Sequence, residues 1–182
     1  MLEVEQKFRV DHFPDLADVF PDAHADSTCT EHDTYFAHPV RDFAATDEAC
    51  RLRTIAGDFG HRHVLTYKGP RRAGDVKIRL EREASFADSE LRENVVALLQ
   101  DLGFRPVRDV YKQRVTHRVR VEGRDVIVTF DEVRDAGRFV EVEHLSEDAA
   151  AGQRVVSEVA AAIGLRHVEP RSYLAIVLEA NG

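Results

Sequence analysis

The sequence predicts an α+β fold built on an antiparallel sheet of about eight strands, with one ionic and one apolar face. Three observations carry this. Charged and apolar residues alternate along several segments, the spacing at which side chains i, i+2 and i+4 share one face of a strand. Two long amphipathic segments carry apolar stripes that each need a partner. Short connections, many marked by glycine, join the strand segments and suit antiparallel neighbours.

In chain order, the first strand covers about Leu2 to Val10, with Glu3, Glu5 and Lys7 on one face and Leu2, Val4 and Phe8 on the other. Phe13 to Phe20, with Pro14 at a first-turn position, reads as a short helix. Thr28 to Phe36 is the second strand and leads into a turn-rich loop from His38 to Phe43. Ala49 to Ile55 and His63 to Lys68 read as a hairpin, which Gly69-Pro70 ends. Val76 to Ala84 is a long strand in which Lys77, Arg79, Glu81 and Glu83 alternate with Val76, Ile78 and Leu80.

Next comes an amphipathic helix, capped by Asp88 or Ser89 and ended by Gly103, with an apolar stripe of Leu91, Val95, Leu98, Leu99 and Leu102. Val107 to Val121 supplies one long or two broken strands; Asp125 to Glu132 and Phe139 to His144 supply two more. A second long helix runs from Asp148 to Ile163, with Val155, Val156, Val159 and Ile163 inward. Ser172 to Glu179 is a last short helix, seated by Tyr173 and Leu174. A Glu-x-Glu strand precedes a helix three times, at Glu3/Glu5, Glu81/Glu83 and Glu141/Glu143, which hints at equivalent carboxylate positions around one sheet.

Composition narrows the class. The 182 residues, 43% hydrophobic and 32% charged, describe one globular domain over 1–182 with chain enough for a core. A net charge of -8 argues against a general nucleic-acid surface. No apolar run approaches membrane-spanning length and no leader pattern follows Met1, so the expectation is a cytoplasmic protein with no membrane partner. Cys29 and Cys50 form no CxxC, and Cys50 shares the apolar parity of Leu52. His61 and His63 lack soft-metal partners and read as surface residues; Tyr35 and Phe36 read as core aromatics at a strand end.

The two helices need an apolar partner, and the apolar face of the sheet is the one available. Helices outside leave the ions turned inward if the sheet closes; if it stays open, the ions are merely solvated. The inward set is Lys7, Arg51, Arg53, Lys68, Lys77, Arg79, Lys112 and Arg114 against Glu3, Glu5, Glu81, Glu83, Asp131, Glu141 and Glu143. Crowded carboxylates suit a hard divalent ion, and the cations suit a polyanion such as a triphosphate.

The opening Glu3-Val-Glu5-Gln-Lys7 resembles the ExExK signature of the CYTH superfamily, the triphosphate tunnel metalloenzymes. Further stretches resemble its class IV adenylyl cyclase branch. They are Asp33-Thr-Tyr-Phe36, His38-Pro39-Val-Arg41-Asp42-Phe43, Thr46-Asp47-Glu48-Ala49, Arg51-Leu-Arg53 and Leu65-Thr-Tyr-Lys68-Gly69-Pro70. The series continues through Lys77-Ile-Arg79-Leu-Glu81-Arg-Glu83, Lys112-Gln-Arg114, Asp131, Phe139-Val-Glu141-Val-Glu143 and Arg171-Ser172-Tyr173-Leu174.

This resemblance implies a closed eight-stranded antiparallel β-tunnel with a charged lumen and helices packed outside. It makes Glu3, Glu5, Asp131, Glu141 and Glu143 the metal-facing carboxylates, for two Mg²⁺ or Mn²⁺ ions, with Glu81 and Glu83 as accessory groups. The eight cations become the phosphate cradle, and Glu5, Lys7 and Glu141 the catalytic candidates. The implied reaction is ATP to cyclic AMP and pyrophosphate. Hydrolysis of inorganic or thiamine triphosphate is the alternative, and a non-catalytic triphosphate or polyphosphate-binding module the third reading. A homodimer stays open.

Overall fold

A computed structural model describes residues 2–57, 60–70 and 80–180. The strands are β1 (Leu2–Val10), β2 (His24–Ala37), β3 (Ala49–Gly57), β4 (Gly60–Lys68), β5 (Glu81–Phe86), β6 (Arg105–Val121), β7 (Arg124–Val133) and β8 (Gly137–Ser146). The helices are α1 (Phe43–Thr46), α2 (Ser89–Asp101), α3 (Ala149–Ala162) and α4 (Tyr173–Ala180). Lys77 and Arg79, with the first four residues of the expected long strand, 76–79, lie outside the described residues; β5 holds its described end.

All eight strands form one antiparallel sheet in the order β1-β8-β7-β6-β2-β3-β4-β5. No ladder joins edge strands β1 and β5 among the described residues. Curling brings these edges together instead, close enough for Lys68 and Glu81 to act on the charge of Glu3. The outer edge of β1 is partly covered by the chain beyond α3: Arg9 N donates to His167 O at 3.0 Å and Glu169 N to Lys7 O at 2.8 Å. Covering an edge in this way removes a template for pairing with other chains.

The parity expectation holds. Val4, Phe8, Val126, Val128, Val140 and Val142 form the outer face and pack against Val155, Val156, Val159 and Ala160 of α3. Gly152 makes that approach possible, because a Cβ there would stand 2.7 Å from Val4 Cγ2 and 2.9 Å from Ser146 Cβ. On the other side Phe36, Cys50 and Leu52 pack against Leu99, Val95 and Val96 of α2. Asp88 caps α2 and Asp148 caps α3, each carboxylate accepting a backbone N–H three residues on.

Three expectations are corrected. Leu91, Leu98 and Leu102 are 45%, 58% and 61% exposed, so the buried face of α2 is turned toward Val96 and Leu99 rather than along the whole leucine stripe. Phe13 to Phe20 forms no helix; Asp15 accepts from Ala17 N and the chain makes a turn at Leu16 that drops Leu16 into the core. His63 is buried, not superficial, with Nδ1 3.0 Å from Thr54 Oγ1. One helix was not anticipated: α1, a single turn capped by Asp42, whose carboxylate accepts from Ala44 N and Ala45 N.

Helix α4 departs from the outer coat. Its Tyr173, Ile176 and Val177 pack on Val110, Val133 and Phe139. These three have the same parity as Asp33, Lys112 and Asp131, their direct cross-strand partners, and so belong to the ionic face. The lumen wall is apolar at that end, and α4 covers it.

Candidate functional site

Register alone places the ionic side chains together. Lys7 lies opposite Glu141, Glu5 opposite Glu143, Arg114 opposite Asp131, Glu31 opposite Lys112, Asp33 opposite Arg53, and Lys68 opposite Glu81. Directly opposed residues share a face, so these groups converge on one lumen. All six expected cations and seven expected carboxylates that are described have this parity.

The deep part of the lumen is a buried ion-pair network. Arg53 clamps Asp33 with two hydrogen bonds, of 2.6 and 2.7 Å, and its Nη1 lies 2.8 Å from Glu31 Oε2. Lys112 Nζ lies 2.9 Å from the same Glu31 oxygen, an approach close in charge although not aligned as a hydrogen bond. Burial alone would raise the Asp33 carboxyl; the Arg53 hydrogen bonds and charge, then Arg51, overcome it and hold Asp33 at about 2. Burial likewise opposes ionisation of Glu141, yet the Arg114, Lys112 and Lys7 charges hold it far below the usual carboxylate range.

Asp131 is fully buried and already engaged. Arg114 Nε donates to its Oδ1 at 2.7 Å, Arg114 Nη2 to Oδ2 at 2.5 Å, and the Tyr173 hydroxyl to Oδ2 at 2.7 Å. Lys7 is buried beside it, donating to Arg171 O at 2.5 Å with Nζ 4.1 Å from the centre of the Tyr173 ring. Here cations and carboxylates are matched.

Nearer the other end carboxylates crowd one another. Burial, then the charges of Glu3, Glu5 and Glu141, push the Glu143 carboxyl up to about 7. Glu3 is raised by burial, then Glu5 and Glu81, and Lys68 opposes this. Lys68 Nζ donates to Glu81 at 2.8 Å and Glu83 accepts from Thr66 at 3.0 Å, so each accessory carboxylate meets a lumen-side neighbour on β4.

Three buried lumen-side atoms have no hydrogen-bond partner among the described residues: Glu31 Oε2, which faces its cations by charge alone, Arg51 Nε and Thr129 Oγ1. An unsatisfied buried donor costs about 1–3 kcal/mol, and an anion in the lumen would relieve it. Glu31, Asp33 and Tyr173 were not among the expected site residues. For Glu31 and Asp33 the signal was present: they alternate along β2 as the other charges do along theirs. For Tyr173 it was not, since only tertiary folding brings α4 against Asp131.

The CYTH domain family model matches residues 1–173. Over 129 residues, 71% of this chain and 67% of the relative, the sequence is 32% identical to MJ0240 of Methanocaldococcus jannaschii, named as a candidate adenylate cyclase. The PH1819 protein of Pyrococcus horikoshii superposes with a TM-score of 0.83 at 33% identity, covering 97% of this chain and 98% of that one. The candidate adenylyl cyclase HpAC1 of Hippeastrum, whose structure is described as revealing a dominant triphosphatase activity, shares the fold at 17% identity, with a TM-score of 0.64 over 98% of this chain and 96% of its own. On the match across its length, the chain belongs to the CYTH domain family.

Proposed function

We propose that this chain is a metal-dependent enzyme acting on a triphosphate within the lumen, as an adenylyl cyclase of the class IV type that converts ATP to cyclic AMP and pyrophosphate. One observation carries the reading: the Glu3 and Glu143 carboxyls, both raised by burial and by neighbouring carboxylates, share a lumen with buried cations, one of which, Arg51, keeps a donor unsatisfied among the described residues.

The donors fit Mg²⁺ or Mn²⁺ by their chemistry. Among the described residues no three such groups enclose an ion by themselves. That suits these ions, which are bound through one or two carboxylates plus substrate phosphates rather than an all-protein cage. Glu3, Glu5 and Glu143 are the ligands of this reading, with Glu141 shared with Arg114. Asp131 leaves the metal set, because both its oxygens are already engaged. When bound, two such ions would neutralise phosphate charge and acidify the attacking hydroxyl.

Lys7, Arg51, Arg53, Lys112 and Arg114 hold the phosphate oxygens, with Lys68, Lys77 and Arg79 as further cradle candidates. The ribose 3′ oxygen bonds to the α-phosphorus while the bond from that phosphorus to the bridging oxygen breaks, its electrons leaving with pyrophosphate. The hydroxyl proton passes to a carboxylate of the Glu5–Glu143 pair. Positioning and charge stabilisation supply most of the acceleration.

Two features support the cyclase over the hydrolase. One is the name of MJ0240. The other is the His38–Phe43 loop with its cyclase-like sequence, pinned by His38 Nδ1 accepting from Val40 N and Arg41 N. The activity named for HpAC1 favours a second reading, in which water attacks the terminal phosphorus in the same cradle. Product analysis with Mn²⁺ across ATP, thiamine triphosphate and inorganic triphosphate decides. Cyclic AMP with pyrophosphate is expected; orthophosphate with a diphosphate establishes the hydrolase, and no turnover of any of the three establishes a binding module.

A further inference from the structure

On the outer face of the sheet, away from the lumen, Tyr111, His32, Thr54 and His63 lie side by side across β6, β2, β3 and β4. The His32 and Tyr111 rings stack at 4.2 Å and 16°, and the Arg134 guanidinium sits 4.2 Å from the Tyr111 ring centre. Asp109 fixes the imidazole, lying 3.0 Å from His32 Nε2 while also accepting from Thr34. The result is a three-member stack of guanidinium, phenol and imidazole. Beyond His32 the next strand carries only the small side chains of Thr54 and Ala56. A groove of about 500 Å³ opens here, within the usual range for a small-molecule site.

Its charge separates it from the lumen. Among the described residues Glu132 and Glu31 line the groove with Arg134 and Lys112, and Asp109 stands behind His32, so positive charge is balanced here rather than concentrated for a polyphosphate. Thr30 and Gln113 offer a hydroxyl and an amide beside the aromatic floor. Flat ring, polar edge, no net cationic field: that is the chemistry of an uncharged nitrogen heterocycle.

We propose that this groove binds the base of a nucleoside, stacked on His32 as the fourth member of the Arg134–Tyr111–His32 series. The site lies on the reverse of the lumen wall. His32 follows Glu31 and Tyr111 precedes Lys112, and these two charges stand 2.9 Å apart on the other face. An occupant therefore rests on the two strands that hold a buried ion pair of the candidate active site.

Adenosine is the probe, because it lacks the phosphates that the lumen would select. Titration of the full chain, followed by calorimetry or amide shifts, should give saturable binding with Kd on the order of 1 mM. Excess inorganic triphosphate should leave that binding unchanged. His32→Ala removes the stacking face and Ala56→Leu fills the recess; each should weaken adenosine at least tenfold and leave triphosphate binding intact. Ala56→Leu decides alone if His32→Ala fails to fold. The proposal is overturned by absence of saturation, by displacement with inorganic triphosphate, or by full affinity in a folded variant.

Discussion

The Tyr173 hydroxyl donates to Asp131 Oδ2 across 2.7 Å, tying the last helix to the carboxylate that clamps Arg114. Tyr173→Phe removes one buried hydrogen bond and should cost about 1 kcal/mol in urea unfolding. Asp131→Asn leaves Arg114 and Lys112 with one less countercharge and should cost about 3–5 kcal/mol. Were Asp131 chiefly a metal ligand, the metal-free protein would tolerate the change. Equal stability of the metal-free variant and wild type would thus reject the clamp.

Lys7 and Glu5 alternate on one strand face but should respond differently. Lys7 is buried, bonded to Arg171 O and packed on Tyr173, so Lys7→Met should abolish turnover and also lower stability by about 1–3 kcal/mol. Glu5 faces Glu143, so Glu5→Gln should abolish turnover while leaving stability equal or slightly higher. Activity assays paired with melting curves check both.

The two zones of the lumen impose opposite pH limbs. Asp33, held at about 2 against an ordinary 3.8, contributes stability above pH 4 that is lost as pH falls toward 2, about 2 kcal/mol. Glu143, raised to about 7 from 4.5, does the reverse: its contribution is fully present below pH 4.5 and is lost as pH rises through 7. Partial exposure limits that loss to about 1 kcal/mol. Melting temperature without divalent ions should therefore decline between pH 5 and 8, and Glu143→Gln should flatten the decline. Mn²⁺ competes with protons for these carboxylates, so its stabilising effect should grow over the same interval.

Helix propensity favours alanine over glycine by about 1 kcal/mol, yet Gly152→Ala should destabilise. The added methyl meets Val4 Cγ2 at 2.7 Å and Ser146 Cβ at 2.9 Å, with sheet behind both. A net loss of about 1–3 kcal/mol is expected from overpacking. A gain in melting temperature would show that α3 can shift outward at little cost.

Most of the fold was legible because a two-faced strand writes its geometry as period two. Glu3, Glu5, Lys7, Glu141 and Glu143 announce their shared face without any knowledge of pairing. Helix α2 was harder: Leu91, Val95, Leu98, Leu99 and Leu102 cover more than one side, and only the placement of Phe36, Cys50 and Leu52 selects Leu99 for the core. The partners of Asp131 were illegible for a related reason. Its sequence neighbours say that it faces inward, but not that Arg114 and Tyr173 reach it first.

A wall with charge on one side and a greasy core on the other makes chain length within each strand inflexible. Deleting a single residue of β8 just ahead of Val140-Glu141-Val142-Glu143 would thrust two carboxylates against α3 and present two valines to the bore. Changes in residue number should therefore be confined to turns such as Glu122-Gly123, while within the staves the count of residues is as binding as their identity.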